Sequence, residues 1–566
     1  MEANFVRSIG VVLRNNGTVV LTPVGRLRRD TEVSYMKYRN VTLLSLVAFV
    51  GFLSGGWFLQ GANRSGDEYQ RARIFETALQ AVARYYVDSI DAGDLYDLAT
   101  EGMLRMLQDP YTGYLQQASY EELSISTTGD YGGLGMRIDS RDGWIQVVAP
   151  IADTPADRAG IASGDQIVEI EGQSTQGWSS NRAAQNMRGP AGTDVSLVVR
   201  RAGIRDSLRF TLTRAEIHVN SVEGQMLVTD DIGYLHLTTV STESAEEVRN
   251  SIDQLRSDGA RAIILDLRTN PGGIMDQGVA LADLFLDRND LVLETKGRSA
   301  DANQKYVARI ADQWPDMPLA VVVDGSTASA AEILSGALQD HDRAVVVGTP
   351  TFGKGVAYLL IPLSRTEAVT VTSARWYTPS GRSIQRGLSG SRVLALRRQS
   401  EEEADSVETR EYRSFSGRLL DAGNGGIQPD VIVQDTLTED EQLFAEALGS
   451  KIPEYRNVLT RYALELKGQD AVIDPDFEVT QGMLSTILQA LRGTGIEMPD
   501  SVFRAAEDLV ARQFGLELTR YTFGRQAEIR RSTLADEQIQ KAMELLNRAS
   551  TPEQLLAMVE TESTQN

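Results

Sequence analysis

The chain has 566 residues, 42% apolar and 24% charged, with a net charge of −22 and no cysteine. One hydrophobic core cannot serve that length, so three or four domains are expected. The acidic balance argues against nucleic acid, whose phosphates need a basic face. The missing cysteines exclude thiol nucleophiles, disulfides and thiolate metal sites, and suit an oxidising compartment.

Val41 to Ala62 carries no charged residue and is rich in Leu, Val and Phe, and about 20 such residues span a bilayer. Arg26, Arg28, Arg29, Lys37 and Arg39 precede it, while Asp67 and Glu68 follow. The positive-inside rule therefore exports the bulk of the chain. Gln60-Gly61-Ala62 is a poor small-x-small cleavage site, so residues 41–62 are read as an uncleaved anchor. Met36-Lys37-Tyr38-Arg39 would make a compact basic leader. Residues 1–40 are accordingly either a spurious start or a cytoplasmic extension.

Residues 68–126 read as a helical segment. Phe75, Leu79, Val82, Tyr85 and Tyr86 recur at helical spacing, as do Leu95, Ala99, Met103 and Leu107. Asp109-Pro110-Tyr111-Thr112 breaks the second helix. From 127 to 217 short strands alternate with turns: Gly135–Ile138, Trp144–Val148, Gln166–Ile170, Val195–Arg200 and Ser207–Thr213. Pro155 to Ile161 is a short helix closed by Gly160. The pattern resembles a bacterial, circularly permuted PDZ domain. Such domains add an extended peptide as a strand and hold its terminal carboxylate on backbone N–H groups. Tyr131-Gly132-Gly133-Leu134-Gly135-Met136 would form that carboxylate loop, with Leu134, Gly135 and Met136 binding substrate.

Residues 218–435 alternate strands and helices, which predicts an α/β core. Ala262–Leu267, Leu319–Val323, Ala344–Val347 and Val356–Leu363 are apolar runs short enough for buried strands. A solvated acidic insert, Glu401-Glu402-Glu403-Ala404-Asp405, lies within this stretch. Residues 436–566 look helical and carry no evident chemistry.

Only three histidines exist, His218, His236 and His341, none in a nucleophile or metal motif. Zinc peptidase chemistry lacks its His-Glu-x-x-His, and no metal site is expected. Lysine is the remaining base, and burial must lower its pKa from about 10.4 for it to accept a proton. Ser329 follows the strand Leu319–Val323 and the turn Asp324-Gly325-Ser326, and opens a helix from Ala330. Unpaired N–H groups there would favour an oxyanion, although an isolated Ser-Ala-Ala-Glu also fits an ordinary N-cap. Lys354 sits in Gly348-Thr349-Pro350-Thr351-Phe352-Gly353-Lys354-Gly355. A phosphate-binding loop would need Ser or Thr at 355 and a following helix, whereas Gly355 and an apolar strand stand there.

Three motifs together, Leu265-Asp266-Leu267-Arg268-Thr269-Asn270-Pro271-Gly272-Gly273, Ser329 in Thr327–Ile333, and Lys354 in Thr351–Gly355, resemble the carboxy-terminal processing (tail-specific) proteases. The resemblance covers roughly residues 70 to 435. It implies a multidomain α/β protein: a crotonase/Clp-protease-like protease core with an inserted PDZ domain, a helical N-terminal segment and a helical C-terminal region. It implies a serine endopeptidase that needs neither metal, cofactor nor ATP, with Ser329 as nucleophile, Lys354 as base, and an oxyanion hole from Ala330 and either Gly272 or Gly273. Asp340 matches an acidic position of the family. Where the family carries Gln four residues after the lysine, this chain has Tyr358, whose hydroxyl could replace the amide or mark a lost activity. Substrates would be exported proteins with exposed, often apolar, C-terminal tails. The catalytic part would face the periplasm from a single-pass inner-membrane anchor, with an adaptor or homo-oligomer left open. The rival reading is a catalytically silent PDZ scaffold that only binds tails.

Overall fold

The computed structural model describes residues 68–386, 411–421, 423, 425–434, 436–496 and 498–563. They belong to two units, 1–98 and 99–566. In the first, residues 68–85 form a helix whose Phe75 and Tyr85 are exposed. Among the described residues no helix is long and apolar enough to cross a membrane. The expected anchor 41–62, the 1–40 extension and the insert at Glu401–Asp405 lie outside the described residues.

In the second unit, strands Met136–Arg141, Trp144–Pro150, Gln166–Ile170, Asp194–Arg200 and Leu208–Thr213 lie in that order in an antiparallel sheet. The expected strands are each found, within a few residues at their ends. Alternate residues point inward, so Ile145, Val147, Val195, Leu197 and Val199 share one core with Ala183 and Met187 of the helix Ser180–Met187. A separate two-stranded stem, Asp130–Gly133 against Ala215–His218, joins this domain to the core.

The core sheet runs Val222–Leu227, Ile232–Leu237, Ala262–Asp266, Leu319–Val323, Val345–Gly348 and Val431–Ile432. All neighbours are parallel except the first pair. Its central strands are wholly buried because both faces are covered, which is why they read as unbroken apolar runs. Ile263, Leu265, Val321, Val323 and Val346 point to helices Ser244–Ser257, Met275–Asp283 and Ala330–Asp340. Their alternates Ala262, Ile264, Ala320, Val322, Val345 and Val347 meet Ile539, Leu545, Leu546, Leu555 and Val559 of the C-terminal helices Glu537–Arg548 and Pro552–Ser563. Each such side chain removed from water contributes about 1.5–3 kcal/mol. These last two helices of the C-terminal region, read from sequence as helical with no evident chemistry, are the second half of the core sandwich.

The remaining C-terminal helices form their own core around Phe444, Tyr455, Phe503 and Phe514. They also hold the PDZ-like domain: Lys467 Nζ donates to the Ser163 carbonyl at 2.8 Å, and the Tyr521 hydroxyl reaches Gln146 Oε1 at 3.4 Å.

The run Val356–Leu363 departs from expectation. Its strand, Val356–Pro362, belongs to a second, antiparallel sheet with Gly113–Leu115, Leu291–Gly297, Gln304–Val307 and Ala368–Tyr377. Val356 is buried, whereas Leu359, Leu360, Ile361 and Leu363 are exposed. A continuous apolar run fits a doubly covered strand, but it carries no period to report which sheet it joins.

Arg268 locks the C-terminal helices on. Its guanidinium holds the fully buried Asp266 at 2.7 Å and reaches Asp536 at 2.6 Å and Gln538 at 3.1 Å. Burial raises the Asp266 carboxyl, but Arg268 outweighs it and keeps it below the usual carboxylate range, so this support fades as pH falls through the acid range. Arg268→Ala strands a buried carboxylate, and a loss of about 3–5 kcal/mol is expected in urea unfolding. A loss below about 1 kcal/mol would show that the helices dock without this latch.

Candidate active site

Ser329 stands between the strand Leu319–Val323 and the helix Ala330–Asp340 at φ 55° and ψ −117°. An N-cap serine takes extended backbone. A non-glycine residue at positive φ is strained and persists only where its surroundings enforce it. This is the geometry of a nucleophile elbow, a sharp strand-to-helix turn that pushes a hydroxyl outward.

The enforcement is visible. Asp324 Oδ1 accepts the N–H groups of Ser326 and Thr327 at 2.9 Å and that of Thr269 at 3.1 Å. Thr327 Oγ1 donates to the Leu267 carbonyl, and the Ala328 N–H to the Asn270 carbonyl, both at 2.9 Å. The Asn270–Gly273 loop is thereby pinned against the elbow. A Cβ on Gly272 would lie 2.7 Å from Ser329 Cβ and 2.8 Å from the Ala330 nitrogen, so only glycine fits.

The two glycines differ in their amides. Gly272 N–H donates to Asn270 Oδ1 at 2.8 Å. Val240 accepts from Ile274 and donates to the Gly272 carbonyl, which leaves the Gly273 N–H turned away from it. Among the described residues neither Gly273 N–H nor Ala330 N–H has an acceptor.

Lys354 reaches the site on the loop Thr351–Gly355. What joins it to Ser329 is Glu332, wholly buried one turn into the helix that follows Ser329. Its carboxylate accepts from Ser329 N–H at 2.8 Å, Lys354 N–H at 2.9 Å, Gly353 N–H at 2.7 Å and Thr351 Oγ1 at 2.6 Å. Burial pushes the Glu332 carboxyl up, against the pull of these donors. Ser-x-x-Glu is a capping-box pattern in the sequence, but nothing in it reports that the Glu also binds a loop 20-odd residues on.

The Lys354 amine is half-buried. Burial holds it below the ordinary lysine value, with the Glu332 charge opposing. It lies 4.9 Å from the ring centroid of Tyr358 and 5.0 Å from that of Tyr111. No hydrogen bond joins it to Ser329 Oγ or to the Tyr358 hydroxyl. Tyr358 thus meets the lysine with its ring face rather than its hydroxyl. Ser329, Gly273 and Tyr358 line a cavity of about 430 Å³ whose walls include Ile274, Met275, Ile333 and Trp376.

The other singled-out residues have structural settings. Asp340 is buried and pairs with Arg382. His236 and His341 bond the Arg268 and Leu291 carbonyls. His218, Glu243 and Glu247 form the one cluster of metal-type ligands among the described residues. They pair among themselves, His218 bridging Glu247 at 2.7 Å and Asp130 at 2.8 Å. In the PDZ-like domain, Leu134 and Gly135 turn their carbonyls inward to Ala156 and Ile151, and their N–H groups donate to no described group. Met136 opens the edge strand beside the helix Ser180–Met187.

Sequence comparisons bear on this geometry. The model for peptidase family S41 matches residues 231–390, a PDZ domain model matches 146–201, and the activating protease CtpB N-terminal domain matches 58–119. The chain is 37% identical over 327 residues, 57% of its length and 74% of the relative's, to a carboxy-terminal-processing protease of Bartonella bacilliformis. It is 30% identical to carboxy-terminal processing protease CtpA of Bacillus subtilis, over 61% of this chain and 73% of that one. Among solved structures it resembles the photosystem II D1 C-terminal processing protease at 25% identity, covering 67% of this chain and 97% of that one with a TM-score of 0.32. The chain belongs to the carboxy-terminal processing proteases, serine peptidases of family S41 that carry a PDZ domain.

Glu332→Gln turns an amide NH₂ toward donors that now share a carboxylate. Each donor left unsatisfied costs about 1–3 kcal/mol. The variant is expected to melt lower than wild type and to lose cleavage even at temperatures where it stays folded. Wild-type melting and turnover together would deny Glu332 its role as connector.

Proposed function

We propose that Ser329 and Lys354 form the catalytic dyad of a periplasmic, ATP-independent endopeptidase acting on exported proteins chosen by their C-terminal tails. The observation that carries this is the strained elbow at Ser329 with two acceptor-less N–H groups, Ala330 and Gly273, beside it. The neutral Lys354 amine takes the Ser329 proton as Oγ attacks the scissile carbonyl. The Ala330 and Gly273 N–H groups stabilise the oxyanion, and the bond that engages the Gly272 N–H with Asn270 supports Gly273 as the donor. The lysine proton passes to the leaving amine, an acyl-serine forms, and water deprotonated by Lys354 releases the acid. The substrate's tail adds as a strand beside Met136–Arg141, its carboxylate on the Leu134 and Gly135 N–H groups. Membrane attachment through residues 41–62 rests on the uncharged run and its basic flank. The silent-scaffold reading draws on Tyr358 and on a lysine that does not touch Ser329.

Ser329→Ala and Lys354→Ala are each expected to abolish digestion of an unfolded protein substrate, and the double variant to be no worse, because the pair acts as one unit. Robust cleavage by either single variant overturns the dyad, and an inactive wild type favours the scaffold.

For tail recognition, full-length Ser329→Ala protein should bind a peptide with an apolar tail and free carboxylate roughly tenfold or more tighter than its amidated twin, since bonds to a charged group are worth about 1.5–3 kcal/mol. Equal affinities in a titration would remove the carboxylate from the Leu134–Gly135 loop.

A further inference from the structure

The helix-breaking turn Asp109-Pro110-Tyr111-Thr112 lies far from the dyad in sequence, yet it delivers an aromatic ring to the lysine. Tyr111 N–H donates to Asp109 Oδ1 at 3.0 Å and Thr112 Oγ1 to Asp109 Oδ2 at 2.8 Å. Thr112 Oγ1 in turn accepts the Thr372 N–H at 3.0 Å, so the turn is fastened to the strand Ala368–Tyr377. Gln385 acts on the Tyr111 phenol, and its Oε1 accepts the Gly355 N–H next to the lysine at 2.9 Å. The backbone of the turn that carries Tyr111 is thus fixed, and the Lys354 amine stands over the Tyr111 ring at 5.0 Å and over that of Tyr358 at 4.9 Å.

A π face within about 6 Å of an ammonium stabilises its charged form by roughly 0.5–2 kcal/mol, more as water is excluded. We propose that Tyr111 and Tyr358 form an aromatic seat that holds the protonated Lys354 away from Ser329, and that Tyr111 is a positioning residue which sets the pH at which the lysine becomes a base. The proposal rests on the dyad reading above. Glu332, from the helix Ala330–Asp340, is the charged group that acts on this amine. It favours the ammonium as the rings do, while burial opposes both. Asp109 bears on Tyr111 itself. The seat explains how a chain with Tyr at 358 can keep its lysine in place: the ring meets the amine by a different interaction from the family's amide.

The test is the pH dependence of kcat/KM for an unfolded-protein or apolar-tailed peptide substrate with the full chain. Tyr111→Leu and Tyr358→Leu should each move the ascending limb to lower pH by roughly 0.5–1 unit. Tyr111→Phe keeps the ring, so its limb should stay at the wild-type position even if its rate falls. A structural role alone lowers the rate without moving the limb. Limbs that stay in place for both leucine variants, or a shift as large in Tyr111→Phe, overturn the seat. Melting curves show whether Tyr111→Leu folds, and if it does not, the Tyr358→Leu and Tyr111→Phe pair decides. A limb that persists in Lys354→Met defeats the dyad reading itself and the seat with it.

Discussion

A single buried carboxylate carries the site. Glu332 has no guanidinium or ammonium in contact, and its charge is met by three backbone N–H groups and a threonine hydroxyl. Those donors come from the Ser329 elbow on one side and the lysine's loop on the other. Charge-assisted bonds of this kind are short and strong, and in a dry interior they are costly to leave unmade. The strained Ser329 backbone is affordable because this group and Asp324 over-determine it. Without Glu332 the two loops share only the Phe352 N–H donated to the Thr327 carbonyl.

The rest of the molecule keeps that cluster dry and in register. The parallel sheet places the ends of Ala262–Asp266, Leu319–Val323 and Val345–Gly348 side by side, so the glycine, serine and lysine loops leave from one edge, where open α/β sheets build their sites. Covering both faces of the sheet requires the C-terminal helices, and the Arg268 latch ties their position to the same loop that carries Gly273. The lysine sees a different balance: burial favours the neutral amine, while two rings and Glu332 favour the ammonium. Its proton affinity is the outcome of opposed contributions, each from a separate element.

The sequence reported what depends on local chemistry. Leu319–Val323 is read to the residue because a doubly buried strand is apolar throughout, and the helix after Ser329 because Ala, Leu and Glu favour it. Three short motifs singled out Ser329, Lys354 and the Asn270–Gly273 loop. What escaped depends on distant pairings. Ser-Ala-Ala-Glu reads as an ordinary N-cap, Tyr111 as the residue after a helix-breaking proline, and residues 537–563 as helical sequence with no evident chemistry. The strand Val356–Pro362 was placed in the buried sheet because apolar content says nothing of which neighbour a strand takes. The choice between Gly272 and Gly273 turns on one side chain, Asn270, whose direction no spacing reveals.

The central claim is that Ser329 is a nucleophile switched on by deprotonation of Lys354. Peptide mapping of full-length protein after reaction with a fluorophosphonate tests it without any assumption about substrate. A single adduct on Ser329 is predicted, forming faster as pH rises and nearly lost in Lys354→Met. An adduct elsewhere, or one on Ser329 whose rate is the same in Lys354→Met, would contradict the account.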